Sequence, residues 1–163
     1  MGERTAPILA RLEEKGMETA AFFRSLDGAG WQAAVYSEGA RWAVRDVLAH
    51  FVSAERAFLV IFQEVMRGGE GAPEGFDIDR FNQFEVANLA SVPPDELVAQ
   101  FEQARAATVD FVRGLADSDL DREGRHPFFG VDRLEKFLKL IYRHNMIHER
   151  DIRRALGEEE SGG

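Results

Sequence analysis

The sequence predicts an all-α protein, a four-helix bundle with up-down-down-up topology. Three observations carry this prediction. Four long segments place apolar residues at helical spacing, no β-branched alternation is sustained, and one link is too long to join antiparallel neighbours directly.

The first helix is expected from about Thr5 to Leu26, with Leu9, Leu12, Ala20, Phe23 and Leu26 on one stripe. Gly28 and Gly30 then break it. The second begins near Val44 and runs to Arg67, before Gly68-Gly69. Its inward stripe is Val47, Phe51, Ala54, Phe58, Ile61 or Phe62, and Val65. The third starts at Pro93-Pro94, because proline suits a first helical turn, and Asp95 and Glu96 favour the positive end of the helix dipole. Leu97, Phe101, Ala104, Phe111 and Leu115 make its apolar face. The fourth opens at Asp132, with Glu135 three positions later as a capping-box variant. It continues through Leu134, Leu138, Ile141, Ile152 and Leu156 to a stop at Gly157.

The first and third links each span about 15 residues and the second nearer 25, against the two to eight usual between antiparallel helices. A link of that length lets the chain return along the bundle, so the second and third helices run parallel. Within it, residues 68–75 read as flexible, and residues 77–89 as a short extra helix. Phe76, Phe81 and Phe84 supply that segment's apolar contacts.

At 163 residues the chain is long enough to bury a core without staples. One domain is expected over residues 1–157, followed by a disordered acidic tail at 158–163. Charged residues occupy the first 20 positions where a secretory leader would be apolar. The longest apolar run, Ala57 to Phe62, is far short of the ~20 residues that span a bilayer. A soluble cytoplasmic protein with no membrane partner is the reading. Cysteine is absent, which excludes disulfides, thiolate-bound zinc and a nucleophilic thiol of the protein's own. The formal charge of −9 argues against a nucleic-acid partner. Arg150, Arg153 and Arg154 are interleaved with Glu149 and Asp151, the pattern of a solvated helix face.

Three of the four histidines fall on the inward stripes. His144 and His148 are one helical turn apart and share the face of Leu138, Ile141 and Ile152. His50 sits three residues after Val47 and four before Ala54. A lone core histidine is usually just hydrogen-bonded, and spacing alone leaves that plainer reading open. Three buried imidazoles in one bundle need a common partner, since each unsatisfied polar group costs about 1–3 kcal/mol. A divalent metal ion is such a partner, and three protein ligands leave an open, reactive position. Helix lengths agree: His50 lies ~9 Å into its helix, and His144 and His148 ~14–20 Å before the end of theirs. Antiparallel second and fourth helices therefore bring all three to similar heights.

Other residues have plainer expectations. His126, beside Pro127, reads as an exposed loop histidine rather than a fourth ligand. Asp46 and Asp151 could orient an imidazole, but a helix cap or a solvated carboxylate is the better reading. Glu149 points about 100° away from its neighbour His148. Trp42 is expected to cover the end of the bundle. No phosphate loop, Ser-His-Asp arrangement or dinucleotide fingerprint is present.

At these residues the chain resembles the DinB/YfiT-like superfamily. Trp42-Ala43-Val44-Arg45-Asp46-Val47-Leu48-Ala49-His50 matches the Trp-x-Val-Arg-Asp-x-x-x-His pattern that opens the second helix, and His144-x-x-x-His148 matches the last. Weaker echoes are Phe81-Asn82, Pro94-Asp95-Glu96-Leu97 and Gly124-Arg125-His126-Pro127. The resemblance implies nickel or zinc on His50, His144 and His148, the same topology, and frequent homodimers. It also implies a small-molecule substrate, as in relatives that transfer a low-molecular-weight thiol to an electrophile or act as metal-dependent hydrolases. A non-catalytic stress-related bundle with a structural metal is the alternative. Ala43 departs from the family's Ser or Thr cap, a loss of about 1 kcal/mol that Asp46 partly compensates.

Overall fold

The computed structural model describes residues 1–158. Of the expected acidic tail, all but Glu158 lies outside the described residues. Four long helices form the bundle: α1 (Thr5–Arg24), α3 (Val44–Met66), α5 (Pro94–Arg113) and α6 (Leu134–Ala155). Two shorter ones, α2 (Gly28–Gln32) and α4 (Ile78–Asn88), lie in the links. A 3₁₀ turn (Asp117–Asp121) precedes the strands β1 (Glu123–His126) and β2 (Gly130–Arg133).

The helix ends follow local chemistry. Asp117 caps α1 from a distance, its carboxylate accepting from the Arg4 and Thr5 backbone N–H groups at 3.0 and 2.9 Å. At α3 the Asp46 carboxylate accepts from the Ala43 N–H at 2.9 Å, the reverse half of a capping box whose forward half alanine cannot make. Asp46 is thus a cap, as expected. Pro94 opens α5, and the extra helix of the second link is α4.

Side-chain contacts fix the helix directions. One core cluster joins Ala20 and Phe23 of α1, Val47 and Phe51 of α3, Leu97 and Phe101 of α5, and Ile152 of α6. The other joins Ile8 and Leu12, Phe62, Val109 and Val112, and Leu134 and Leu138. The late part of α1 therefore meets the early parts of α3 and α5 and the late part of α6. The topology is up-down-down-up, with α3 and α5 parallel. Helix α1 packs on α5 and α6, and α3 packs on the same two. No described helix is long and apolar enough to cross a membrane.

Three expectations are corrected. Strands were not expected, yet β1 and β2 pair antiparallel, with Glu123 opposite Arg133 and His126 opposite Gly130. Val131 is their one β-branched residue, and the others are glycine, histidine or charged, so the usual alternation is missing. The hairpin also displaces the start of the fourth helix: Asp132 belongs to β2, and Arg133 occupies the N-cap without a side-chain bond. The Asp132 carboxylate instead accepts from the Arg133 N–H at 2.8 Å and from Lys136 Nζ at 2.7 Å.

The third correction concerns the glycine-rich link. Rather than hanging free, it is pinned to β1, with the Arg125 N–H donating to the Glu70 carbonyl at 2.7 Å and the Ala72 N–H to the Arg125 carbonyl at 2.8 Å. Gly71 adopts φ +91°, and a Cβ there would stand 2.7 Å from both the Arg125 backbone N and O. Only glycine permits that approach. The consequence for function is that the link and hairpin form one fixed wall beside α3 and α6.

Candidate metal centre

Helix geometry brings the three stripe histidines to one point. His144 and His148 project from one face of α6, and His50 faces them from α3. The Nε2 atoms of His50 and His144 lie 3.1 Å apart, and those of His148 and His144 3.0 Å apart. One ligand atom from each of the three rings lies within 4.8 Å of the other two. Two zinc–nitrogen bonds of ~2.0–2.1 Å in tetrahedral array hold their nitrogens about 3.3 Å apart, close to these separations.

Hydrogen bonding determines which nitrogen of His148 faces inward. The Tyr36 hydroxyl lies 2.6 Å from Asp151 Oδ2 and 2.7 Å from His148 Nδ1. A carboxylate only accepts, so Tyr36 donates its one proton to Asp151. His148 must then donate from Nδ1 to the Tyr36 oxygen, which leaves an Nε2 lone pair aimed at the other two rings. His50 is held differently. Its Nδ1 is buried without a hydrogen-bond partner, and Trp42 packs against the ring, tilted 36° to it, with centroids 5.0 Å apart. Trp42 thus covers a triad histidine, a more specific place than the bundle end expected of it. A cation at the centre would accept all three lone pairs at once, and three imidazole donors suit a divalent transition metal.

Burial keeps these rings neutral. It is the main cause that lowers His50 well below the ordinary imidazole value, with the neighbouring His144 and His148 adding to it. Burial, with His148 adjacent, takes His144 to about 3. His148 is lowered by burial and partly restored by Asp151. Neutral rings are what a metal needs.

The fourth histidine is a correction. His126 is in β1 and buried, not in an exposed loop. It stacks on Phe58 with centroids 5.1 Å apart, and its Nδ1 accepts from the Phe128 and Phe129 N–H groups at 3.1 and 3.2 Å. Burial lowers it to about 4. It stands outside the triad. Glu149, which does not join the triad either, bonds to Thr19 of α1 and is raised by burial.

These directions give a pH prediction for the metal-free protein. Unfolded imidazoles titrate near 6.5, while all four folded ones titrate lower, so below about pH 6.5 the unfolded chain binds more protons. The stability present above that pH is lost as pH falls towards the folded values. Glu149 acts in the opposite sense but is one group against four. In EDTA, the thermal midpoint is expected to drop by ~10 °C between pH 6.5 and 5. A flat melting profile over that range would contradict the burial of the triad.

Fold and site together define a histidine-triad four-helix bundle able to hold one metal ion. The chain belongs to the DinB superfamily, whose family profile matches residues 11–152. It is similar in structure to YfiT from Bacillus subtilis, described as a probable metal-dependent hydrolase with an unusual four-helix bundle topology. The two are 18% identical, with a TM-score of 0.75 over 95% of this chain and 89% of that one. A mycothiol-dependent maleylpyruvate isomerase matches at 15% identity and TM-score 0.76, over 91% of this chain and 60% of its own. The colibactin self-resistance protein ClbS, solved in complex with a dsDNA, matches at 11% identity and TM-score 0.69, over 98% and 97%. No curated protein matches the sequence significantly.

Sequence reasoning missed Tyr36. It lies in the link before α3, where the Val35 and Tyr36 N–H groups both donate to the Trp42 carbonyl, at 2.9 and 3.1 Å. No periodicity marks such a residue. Its only signal is proximity to the tryptophan that opens the His50 segment.

Proposed function

We propose that His50, His144 and His148 hold a zinc or nickel ion, and that the protein is a metal-dependent enzyme transferring a low-molecular-weight thiol to an electrophile. The observation that carries this reading is the convergence of three neutral imidazoles in the lining of a pocket of about 800 Å³. Such an ion, when bound, lowers the pKa of a water or thiol and so supplies a nucleophile at neutral pH. The chain's own residues hold and orient. Asp151 fixes Tyr36, Tyr36 fixes the tautomer of His148, and Trp42 packs against the His50 ring. Metal-assisted hydrolysis is the second reading, favoured by the apolar lining of the pocket, which offers little to a polar thiol.

The test is elemental analysis of untagged protein, followed by turnover of a chlorinated aromatic with bacillithiol, mycothiol or glutathione, and of aryl esters without thiol. Stoichiometric metal with thiol-dependent turnover supports the first reading, and turnover of esters alone the second. Metal that raises the melting temperature while every substrate is left unchanged makes the ion structural.

Tyr36→Phe removes one hydroxyl and with it the acceptor for His148 Nδ1. Losing such an outer partner costs about 10–100-fold in metal affinity. Competition with a chromophoric chelator should show that loss with an unchanged fold. Equal affinities for both proteins would mean that the Asp151–Tyr36–His148 chain does not support the site.

A further inference from the structure

The pocket above the triad is walled by α3, α4, α6 and the hairpin with its pinned link. Phe58, Phe76, Phe81, Phe129, Ile61 and Leu140 face it. Some of these rings are already in pairs, with Phe76 and Phe81 centroids 5.4 Å apart and Phe58 stacked on His126 at 5.1 Å. Apolar ring area remains exposed, with Phe76 at 37% and Phe129 at 51%. A volume near 800 Å³ is that of a site for a drug-sized molecule.

Several polar groups of the lining are engaged or exposed, and Asn82 of α4 is half-buried. The Ser53 hydroxyl donates to the His50 carbonyl at 3.1 Å, and His126 Nδ1 is taken by two backbone N–H groups. Arg143 and Asp79 are exposed and of opposite charge, and Glu85 is half-buried on α4. A polyhydroxylated or peptide-like molecule in the depth of this pocket would bury donors and acceptors without partners. A flat protein surface would not fill a cavity of this volume. An aromatic and aliphatic lining, whose charged members Arg56, Asp79 and Arg143 are exposed, matches an uncharged aryl body.

We infer that the pocket takes a neutral aromatic substrate of at least two rings, whose reacting group faces His50, His144 and His148. This rests on the reading of the triad as the reaction centre, and it assigns the apolar space to the electrophile or ester rather than to a polar thiol. The probe is N-phenyl-1-naphthylamine, a neutral two-ring fluorophore, titrated into the full chain with and without zinc. Micromolar binding is expected in both states, undiminished by millimolar glutathione. Ala57→Trp, which fills the pocket from α3, should weaken it at least ~10-fold, in keeping with the loss of stacked apolar contact. Phe128→Asp, at a position 71% exposed, serves where the tryptophan disturbs folding. Met17→Asp, 70% exposed on α1 and outside the pocket, should leave binding unchanged.

Failure of the probe to bind, indifference to both pocket variants, or displacement by glutathione overturns the inference. So does loss of probe binding as the protein self-associates, which would give the surface to a second copy. The two proposals fail separately. Probe binding without metal uptake at the triad sinks the metalloenzyme reading alone, whereas metal uptake without probe binding sinks the substrate class alone.

Discussion

His144→Ala is expected to bind zinc or nickel more than ~100-fold more weakly than the wild type, because loss of an outer partner alone already costs 10–100-fold. His144 is the ring to remove because its Nε2 lies 3.1 Å from that of His50 and 3.0 Å from that of His148. The two remaining rings sit on different helices and would need solvent to complete a coordination shell. His126→Ala is the matched control. It deletes a buried histidine at the same pocket, so stability should fall, while metal stoichiometry stays that of the wild type. Isothermal titration of both proteins decides the matter. Full metal uptake by His144→Ala, or its loss only in His126→Ala, would move the site elsewhere.

The triad was legible because helical periodicity turns sequence spacing into direction. Four residues bring His148 over His144, and the Val47, His50, Ala54 spacing puts the third ring inward on α3. The length of the second link gave the helix order for a similar reason, since only a long connection returns along the bundle. What surrounds the triad was not legible. Tyr36 reaches His148 through a loop shaped by backbone bonds to Trp42, and no residue pattern encodes that shape. The hairpin carries side chains that do not announce a strand, so His126 was placed in an exposed loop although Phe58 and Phe137 enclose it. Periodicity reports which face is inward; it does not report what a loop brings to that face.

The same limit hid the ion pair on which the second large effect depends. Arg105 of α5 is 4% exposed and Glu55 of α3 3% exposed. The guanidinium donates from Nε to Glu55 Oε1 at 2.7 Å, from Nη2 to Oε2 at 3.1 Å, and from Nη1 to the Leu12 carbonyl of α1 at 3.0 Å. Three of the four bundle helices meet on this one group. Gly16 makes room for it, because a Cβ there would stand 2.8 Å from Arg105 Cγ, which explains a glycine inside α1 despite its helix cost of about 1 kcal/mol. Arg105→Met leaves a buried carboxylate unpaired, and breaking such a pair costs about 3–5 kcal/mol. For a chain of this size that lowers the melting temperature by ~10 °C.

The double variant Arg105→Met with Glu55→Leu should recover most of that loss, since a buried pair replaced by apolar groups of similar volume is often neutral. Arg113 and Glu13 provide the contrast, joining α5 to α1 at 2.8 Å but about half exposed on both sides. Arg113→Ala should cost under ~1 kcal/mol. Urea unfolding of the three variants against wild type measures the difference. A loss at Arg105 no larger than that at Arg113 would mean water reaches the Arg105–Glu55 pair, and that the bundle centre is not closed as described.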